Sequence, residues 1–508
     1  MSYPFLKSKN KEAQNKLYYG DNIEVLRKYI RDESIDLCYI DPPFNSKRTY
    51  NQIYKNIGKE DKAQSQAFID TWTWDWKADV GFTEIIENYN GVFTLQSIEL
   101  IIGLSKVLKK GSLLAYLVSM TLRIAEIYRV LKPTGSFYLH CDPTASHYLK
   151  LIIDAIFCAK DGEFQNEIIW CYTSGGKSNN RYAKKHDVIF FYTKSGEYIF
   201  NDKEIRVPYS EKTLANYKPG LKGSTYTADV TLNKDGKIPE DYWNIAIASK
   251  STKEYLGYPT QKPLALLERI IKASTNEGDL VLDAYCGCGT TVAVAEQLKR
   301  KWIGIDITYA SISLILKRIE EHFGGSAIKN INLNGVPKDF ESAVALANKQ
   351  DDRTRKEFEK WAVLTYSNNK AAINDKKGGD GGIDGTAYMV DFDDKNKQIQ
   401  KQILFSVKSN KTIPPSVIRD LNGTMEREDA AMGILITLYP MPNLVKESKK
   451  YGVYINKAFG QTYPKIEVIS IAEMLAGNLM KMPTSVIDVL KKAGRKAKGD
   501  EQGKMDLE

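Results

Sequence analysis

The sequence predicts an α/β protein of two domains, in which a mostly parallel, doubly wound sheet is followed by a smaller α/β domain. The chain has 508 residues, which is more than a single hydrophobic core usually organises. Short apolar strands alternate with amphipathic helices in the N-terminal two thirds, the pattern of a parallel sheet with helices on both faces. A second group of strands begins after a polar connection near residue 350.

The first elements read as strand, helix and strand over residues 17–44, from LYYGDNIEVLRKYI to IDLCYID. A long helix is predicted over 114–131, followed by a strand that ends in SFYLHCD. The segment ASHYLKLIIDAIF has helical periodicity, and NEIIWCYT returns to a strand pattern. This order builds the first part of a doubly wound sheet.

A polar insert is predicted over about 174–258, where Gly, Lys, Asn and Tyr replace the regular apolar pattern. Alternation then resumes with the helix PLALLERIIKAST, the strand DLVLDAYC, the helix TTVAVAEQLKR and the strand KWIGIDI. A further helix ends at Gly324 and Gly325. We therefore expect residues 1–340 to form one domain that carries an inserted module.

The second domain is predicted over 351–508, with residues 341–350 as a linker and a basic tail at the C-terminus. It opens with a helix in TRKEFEKWAVLTYS. Strands follow in AYMVDF, KQILFSVKS and MGILIT. This is a small α/β domain.

Composition favours a water-soluble chain, since hydrophobic residues make up 43% and charged residues 27%. No apolar run is long enough for a membrane span and the N-terminus lacks a signal core, so we expect a cytoplasmic protein. Six scattered cysteines and four histidines, without a C-x-x-C pair, disfavour a disulfide scaffold or a zinc site. The formal charge of +9 is compatible with a nucleic-acid partner.

A cofactor loop is predicted in VLDAYCGCGTTVAVAEQLKRKWIGIDI. The strand ends at Asp283, glycines follow at Gly287 and Gly289, and a helix starts at Thr290, an arrangement that exposes backbone N–H groups to a ligand. Asp306 ends the next strand, at the distance from which such folds bind ribose hydroxyls. Val292 stands where dinucleotide sites have a third glycine, so the loop favours another nucleoside cofactor over NAD.

The second candidate site is the turn Asp41, Pro42, Pro43 and Phe44, which closes an apolar strand. Taken alone, the turn is most simply a strand end, since Asp-Pro and Pro-Pro are common turn formers. The two prolines remove two N–H donors, so the turn presents acceptors beside an aromatic ring. Such a turn suits an exocyclic amino group on a planar base.

Together these segments resemble the amino-group DNA methyltransferases, which methylate adenine N6 or cytosine N4. The matching segments are DPPF, DAYCGCGT, GIDI, and YPTQKPLALLERII before the glycine loop. The catalytic motif precedes the cofactor motif, with the polar insert between them, and SFYLHCDPTASHYLK and HDVIFFYTK extend the likeness to the beta subgroup. The resemblance covers residues 17–323 and implies the S-adenosylmethionine-dependent methyltransferase fold, with the insert as target-recognition module.

The resemblance assigns S-adenosyl-L-methionine as cofactor and double-stranded DNA as partner. Cofactor contacts would come from nine residues: Asp21, Lys262, Asp283, Tyr285, Cys286, Gly287, Gly289, Thr290 and Asp306. The residues Ala284, Cys288 and Tyr258 depart from the commonest family choices without removing a needed group. A cytosine-C5 enzyme is excluded because the chain contains no Pro-Cys pair.

Catalysis is assigned to Asp41, Pro42, Pro43 and Phe44, with adenine N6 favoured by the aspartate and cytosine N4 as the alternative. Asp41 and the Pro42 carbonyl would accept the two amino hydrogens and direct the nitrogen lone pair at the methyl group. The base must leave the duplex, and Phe44 would stack on it. Methylation of both strands of a site calls for a homodimer or for successive binding.

A nuclease site is predicted in the second domain, where Asp384 follows GGDGGI and Lys408 ends the strand ILFSVK. The string FEKWAV…GGDGGIDG…SVKS resembles Mrr-like restriction endonuclease domains over 351–475. The resemblance implies Mg²⁺ held by Asp384, a role for Lys408 at the attacking water or phosphate, and Glu359 as a further acid. Ser406 stands where these nucleases usually have Glu or Gln, and a hydroxyl is a poorer Mg²⁺ ligand.

The sequence hypothesis is therefore an adenine-N6 DNA methyltransferase joined to a nuclease-like domain in one restriction–modification chain. One alternative is a solitary modification enzyme whose second domain only binds DNA. The other is a non-enzymatic DNA-binding protein on the same scaffold.

Overall fold

The computed structural model contains two large sheets and two small two-stranded sheets, and one hydrophobic cluster includes buried residues of both large sheets. It describes residues 15–43, 48–56, 59–70, 72–172, 178–216, 232–249, 252, 254–256, 258, 260–348, 352–368, 370–374, 382–393 and 398–480. No helix in these ranges is long and apolar enough to cross a membrane.

Eleven strands precede residue 340 in the described part of the chain. They are β1 (Asn15–Tyr19), β2 (Ile35–Ile40), β3 (Arg48–Asn56), β4 (Lys59–Asp70), β5 (Leu131–Cys141), β6 (Glu163–Cys171), β7 (His186–Thr193), β8 (Tyr242–Asn244), β9 (Leu280–Asp283), β10 (Lys301–Asp306) and β11 (Ile331–Asn334). The helices between them are α1 (Asn22–Tyr29), α2 (Trp76–Glu87), α3 (Leu95–Leu108), α4 (Ser112–Val130), α5 (Ser146–Phe157), α6 (Glu211–Asn216), α7 (Leu264–Ser274), α8 (Thr290–Gln297), α9 (Tyr309–Phe323) and α10 (Gly325–Lys329).

Nine of these strands form the main sheet, in the order β11-β1-β10-β9-β2-β5-β7-β6-β8. The pairs from β11 to β5 are all parallel, and β7 runs antiparallel to both of its neighbours. One face packs apolar residues of α1 to α5, and the other packs residues of α7 to α9. The predicted mostly parallel, doubly wound sheet is confirmed.

Two strands within the predicted insert, 174–258, belong to the main sheet: β7 (His186–Thr193) and the edge strand β8 (Tyr242–Asn244). The residues from Val188 to Thr193 are buried on both faces of the sheet, a pattern that only an internal strand satisfies. In the described residues, the polar segments of the insert therefore lie before, between and after these two strands.

The C-terminal part contains the helices α11 (Phe340–Ala347), α12 (Asp352–Tyr366), α13 (Ser416–Arg427), α14 (Pro442–Ser448) and α15 (Ile471–Leu475). Its strands are β12 (Ala372–Ile373), β13 (Gly385–Phe392), β14 (Gln398–Lys408), β15 (Ala430–Thr437), β16 (Val453–Asn456), β17 (Gln461–Pro464) and β18 (Ile466–Ser470). Five of them form a mixed sheet in the order β12-β13-β14-β15-β18. The segment 341–350, predicted as a linker, is helical as far as Ala347 because Asp339 and Ser342 form a capping box and three of its residues are buried.

The two domains meet through α9 and α12. Glu357 on α12 accepts a hydrogen bond from the backbone N–H of Tyr309 at 2.9 Å, and its other oxygen pairs with Lys360 at 2.8 Å. The hydroxyl of Tyr309 lies 3.2 Å from that of Thr365. Phe358 and Trp361, both fully buried, extend the core of the first domain into the second.

Phe358→Ala is expected to lower the free energy of unfolding by about 3–5 kcal/mol, because the change leaves a cavity in this shared core. Phe459→Ala serves as the matched control, since Phe459 is 44% exposed, and should change the value by about 0.5 kcal/mol or less. Urea unfolding followed by circular dichroism measures both. Equal effects of the two substitutions would contradict a continuous core at Phe358.

Candidate functional site

Four neighbouring strands of the main sheet end in acidic residues at the same edge. Asp306 ends β10, Asp283 ends β9, Asp41 follows β2 directly, and Asp21 lies two residues after β1. In the register of the sheet, Asp283 lies opposite both Gly304 and Tyr39, and Asp306 lies opposite Tyr19. Because these strands are parallel, their carboxyl ends meet, which is where open α/β sheets bind ligands.

The loop between β9 and α8 lies against this edge. Gly287 and Gly289 have φ values of +48° and +72°, a backbone region that favours glycine. A Cβ atom at Gly289 would come within 2.7 Å of Ile315 Cγ1, so a larger residue has no space there. The N–H of Gly287 donates to Asp306 Oδ2 at 2.9 Å, which joins the predicted glycine loop to the predicted ribose acid.

Burial raises the pKa of Asp283 to about 7. Hydrogen bonds from Thr291 and from the Tyr285 backbone oppose this rise, while the charges of Asp41 and Asp306 add to it. Burial also raises the pKa of Asp306 to about 6, although Thr308 and Gly287 donate hydrogen bonds to its carboxylate. The edge therefore concentrates negative charge where water is scarce, and a positively charged ligand would stabilise it.

Asp21 is held by its own helix and by a neighbouring one. Its Oδ1 accepts the N–H of Ile23 at 3.1 Å as the N-cap of α1, and it pairs with Arg123 Nη2 at 2.8 Å. Arg123 on α4 also donates to Asn22 Oδ1 at 2.6 Å. Sequence patterns missed Arg123, because it lies 102 residues after Asp21 in the chain and α4 carries no recognisable motif.

The remaining predicted cofactor residues lie around the glycine loop. Tyr285 reaches Met120 Sδ with its hydroxyl at 3.7 Å, and Cys286 is buried. Thr290 Oγ1 donates to the Lys262 carbonyl at 3.3 Å. Arg318 on α9, which the sequence did not indicate, is 3% exposed and donates to the Cys288 carbonyl and to Thr290 Oγ1, both at 3.2 Å.

The predicted catalytic turn faces this loop from β2. Pro42 is buried, and Asp41 and Pro43 are half-buried. Asp41 Oδ2 lies 2.5 Å from Lys262 Nζ, so the lysine that was predicted to bind the cofactor contacts the predicted catalytic acid. Phe44 lies outside the described residues.

A chain of polar groups lies beneath Asp41, within an otherwise apolar sheet. His140 is fully buried, with Nδ1 at 2.9 Å from the Tyr39 hydroxyl and Nε2 at 3.1 Å from Asp187 Oδ2. The hydroxyl of Tyr172 donates to Asp187 Oδ1 at 3.2 Å. The sequence signals for this hydrogen-bonded group were a histidine and an aspartate inside apolar strand sequences. Their pairing depends on the order of the strands, which the sequence does not show.

The second domain brings its predicted residues to the end of β14. Asp384 Oδ2 accepts the N–H of Val407 at 2.7 Å, which places the carboxylate beside Ser406 and Lys408. Burial raises the pKa of Glu359 on α12, and the charges of Arg355, Lys356 and Lys408 oppose this rise. The charge of Lys408 thus acts on Glu359, and Ser406 is buried.

The described residues contain no group of three or more His, Cys, Asp or Glu side chains that would hold a metal ion. Asp384 and Glu359 supply two carboxylates. At the position where Mrr-like nucleases usually have Glu or Gln, this chain has Ser406. The part of the site that the structure describes therefore does not fit a complete Mg²⁺ centre.

Comparison with known families decides the identity of the first domain. The family of DNA methylases of the N6/N4 type matches residues 35–317, which is more than half of the chain. The chain belongs to this DNA methylase family. A restriction endonuclease family of the Mrr type matches residues 351–451.

Type II DNA methyltransferases are among the similar proteins. M2.DpnII of Streptococcus pneumoniae is 48% identical over 310 residues, which is 60% of this chain and 89% of the relative. M.HpaI of Haemophilus parainfluenzae is 32% identical over 44% of this chain, and the match spans only 65% of its own length. The DNA adenine methyltransferase YhdJ of Escherichia coli is 28% identical over 62% of this chain and 86% of the relative.

Asp283→Asn tests the buried charge in this DNA methylase through the pH dependence of stability. The folded chain holds the Asp283 proton up to a pH of about 7, whereas the unfolded chain releases it near 3.8, so the free energy of unfolding falls as the pH rises between these values. Asparagine has no proton to release. The stability of the variant relative to the wild type should therefore rise by about 1 kcal/mol or more from about pH 5 to about pH 8.

Urea unfolding at several pH values measures this difference. Asp235→Asn, at an exposed turn, is the control and should show no such trend. A difference between Asp283→Asn and the wild type that does not change with pH would contradict the raised pKa.

Proposed function

We propose that this DNA methylase transfers a methyl group from S-adenosyl-L-methionine to adenine N6 in double-stranded DNA. The observation that carries the proposal is the position of the donor-poor turn Asp41-Pro42-Pro43 at the same sheet edge as the glycine loop and Asp306. This arrangement brings an acceptor for an amino group next to a loop suited to a nucleoside cofactor.

The residues of the edge fit this cofactor. Its ribose hydroxyls suit Asp306, and its ammonium and sulfonium charges suit the negative potential around Asp283. The bound cofactor supplies an electrophilic methyl group. Gly287 and Gly289 allow close approach of the backbone, and Arg318 holds the loop in place from below.

The protein contributes alignment and electrostatic stabilisation. The carboxylate of Asp41 accepts one amino hydrogen and the Pro42 carbonyl accepts the other, so the nitrogen lone pair leaves the plane of the base. Because Pro42 and Pro43 have no N–H, no backbone donor of the turn competes with the substrate amino group.

Adenine is proposed over cytosine because the turn begins with aspartate and because one relative, YhdJ, is named a DNA adenine methyltransferase. Single-molecule sequencing of DNA from cells that express the chain would identify both the base and its sequence context. Methylation at cytosine N4 alone would overturn the adenine assignment but would still support methyl transfer to DNA.

Asp41→Asn is expected to lower kcat by about 100-fold or more, because an amide accepts the amino hydrogen more weakly than a carboxylate. The dissociation constant for S-adenosylmethionine should change by only about threefold or less, since Asp41 is assigned to the base. Transfer of tritiated methyl groups and calorimetric titration measure the two quantities. Asp32→Asn, at an exposed ion pair with Arg129, is the control, and full activity of Asp41→Asn would overturn the catalytic assignment.

We propose that the chain works in the cytoplasm, where its DNA substrate would be accessible. Modification of both strands of a site implies either two chains or two successive binding events. We propose the dimer, and sedimentation of the DNA complex measures its stoichiometry.

A second proposed activity is endonucleolytic cleavage by the C-terminal domain. It is favoured by the restriction endonuclease match, by the hydrogen bond of Asp384 to the backbone at the end of β14, and by the charge of Lys408 acting on Glu359. The buried Ser406 argues for weak cleavage, with DNA binding as the remaining role.

Lys408→Ala is expected to reduce plasmid nicking in magnesium buffer by about 100-fold, because the lysine would stabilise the charge that develops at the phosphate. Lys411→Ala, at an exposed position three residues further on, is the matched control. Identical nicking by the wild type and by Lys408→Ala would exclude this site as a nuclease centre.

A further inference from the structure

The ion pair between Lys262 and Asp41 has no role in the proposed reaction. Its two charged atoms are 2.5 Å apart, and the side chains are only 8% and 18% exposed. The ammonium group donates N–H to the same carboxylate that would accept an amino hydrogen of the base. Lys262 therefore engages Oδ2 of the carboxylate to which the substrate amino group would bind.

The backbone of Lys262 is anchored, so the side chain is the part that can move. Its carbonyl accepts a hydrogen bond from Thr290 Oγ1 at 3.3 Å. The side chain of the preceding Gln261 bonds the Glu254 carbonyl at 2.7 Å and the Leu256 N–H at 2.8 Å. A lysine on a fixed backbone can exchange one acceptor for another by rotation of its four-carbon side chain.

Asp187 is a second acceptor within electrostatic reach of Lys262. Burial by itself would raise the pKa of Asp187, but the hydrogen bond and charge of His140, followed by the charge of Lys262, hold it below its usual value. Asp187 is fixed by His140 and Tyr172. Tyr39 on β2 contacts His140 and lies two residues before Asp41. Asp187 and Asp41 therefore lie in the same corner of the sheet.

We propose that Lys262 is a positioning residue. Its ammonium group pairs with Asp41, to which the amino group of the target base would bind. When the base enters, the lysine side chain rotates and its ammonium group pairs with Asp187. This inference rests on the proposed methylation of an amino group. The exchange keeps Asp41 paired before the base arrives, and it prevents an unpaired buried ammonium afterwards. It assigns Lys262 to the base pocket and not to the cofactor.

The consequence is a coupling between Lys262 and the exocyclic amino group of the target. A base without that amino group leaves the ion pair in place, whereas adenine must displace it. Removal of the ammonium therefore strengthens the preference for adenine, because the amino group becomes the partner of Asp41. Removal of the Asp187 charge weakens the preference, because the displaced ammonium loses its acceptor.

The test uses the full chain, S-adenosylhomocysteine, and two duplexes that carry the mapped site with either adenine or purine at the target position. Purine lacks the amino group. The ratio of the dissociation constant for the purine duplex to that for the adenine duplex should rise about tenfold in Lys262→Met, the effect of one charge-assisted hydrogen bond. The same ratio should fall by about threefold or more in Asp187→Asn.

Lys272→Met is the matched control, since Lys272 forms an ion pair with Glu268 on the surface of α7, and its ratio should equal that of the wild type. Opposite changes in the two test variants support the exchange, because general damage to the site would move both ratios in the same direction. An unchanged ratio in Lys262→Met would overturn the proposed exchange. A tenfold loss of S-adenosylhomocysteine affinity in this variant, without a change in the ratio, would also overturn it. Wild-type methylation of the mapped adenine, measured first, tests the proposed function separately.

Discussion

The parallel register of β1, β10, β9 and β2 is the constraint on which the rest of the structure depends. It brings four acids to one edge and places two of them, Asp283 and Asp306, where burial raises their pKa values. Such a concentration of carboxylates is unfavourable unless cations and N–H donors surround it. The structure supplies Arg123 at Asp21, Lys262 at Asp41 and the Gly287 amide at Asp306, and a cationic cofactor would complete the set.

The contact between the domains extends this arrangement. Thr308, which bonds Asp306, caps α9, and Glu357 of the second domain accepts the next backbone N–H along the same helix start. Two residues further on α12, Glu359 senses the charge of Lys408 in the nuclease-like site. One helix of the second domain thus links the two candidate sites, and its buried residues Phe358 and Trp361 belong to the core that both domains share.

Sequence patterns predicted the elements whose signals are local. The strand and glycine loop around Asp283 were correctly placed, as were α4, α5 and the strands β13, β14 and β15, because each has a clear apolar period or a glycine at a required turn. The predicted insert, 174–258, includes the main-sheet strand β7, which its local sequence pattern did not separate from the rest. A strand of that kind is recognised only when its neighbours β5 and β6 are known to cover both of its edges.

The sequence by itself determined the family, the order of the motifs and the identity of most groups at the carboxyl edge, because these depend on residue types at short spacing. Tertiary structure alone decided the partners of those groups. Lys262 pairs with Asp41 across 221 residues of the chain, and Arg123 pairs with Asp21 across 102. Such pairs are set by the order of strands in the sheet and by the packing of helices on its faces, which no local pattern of residues encodes.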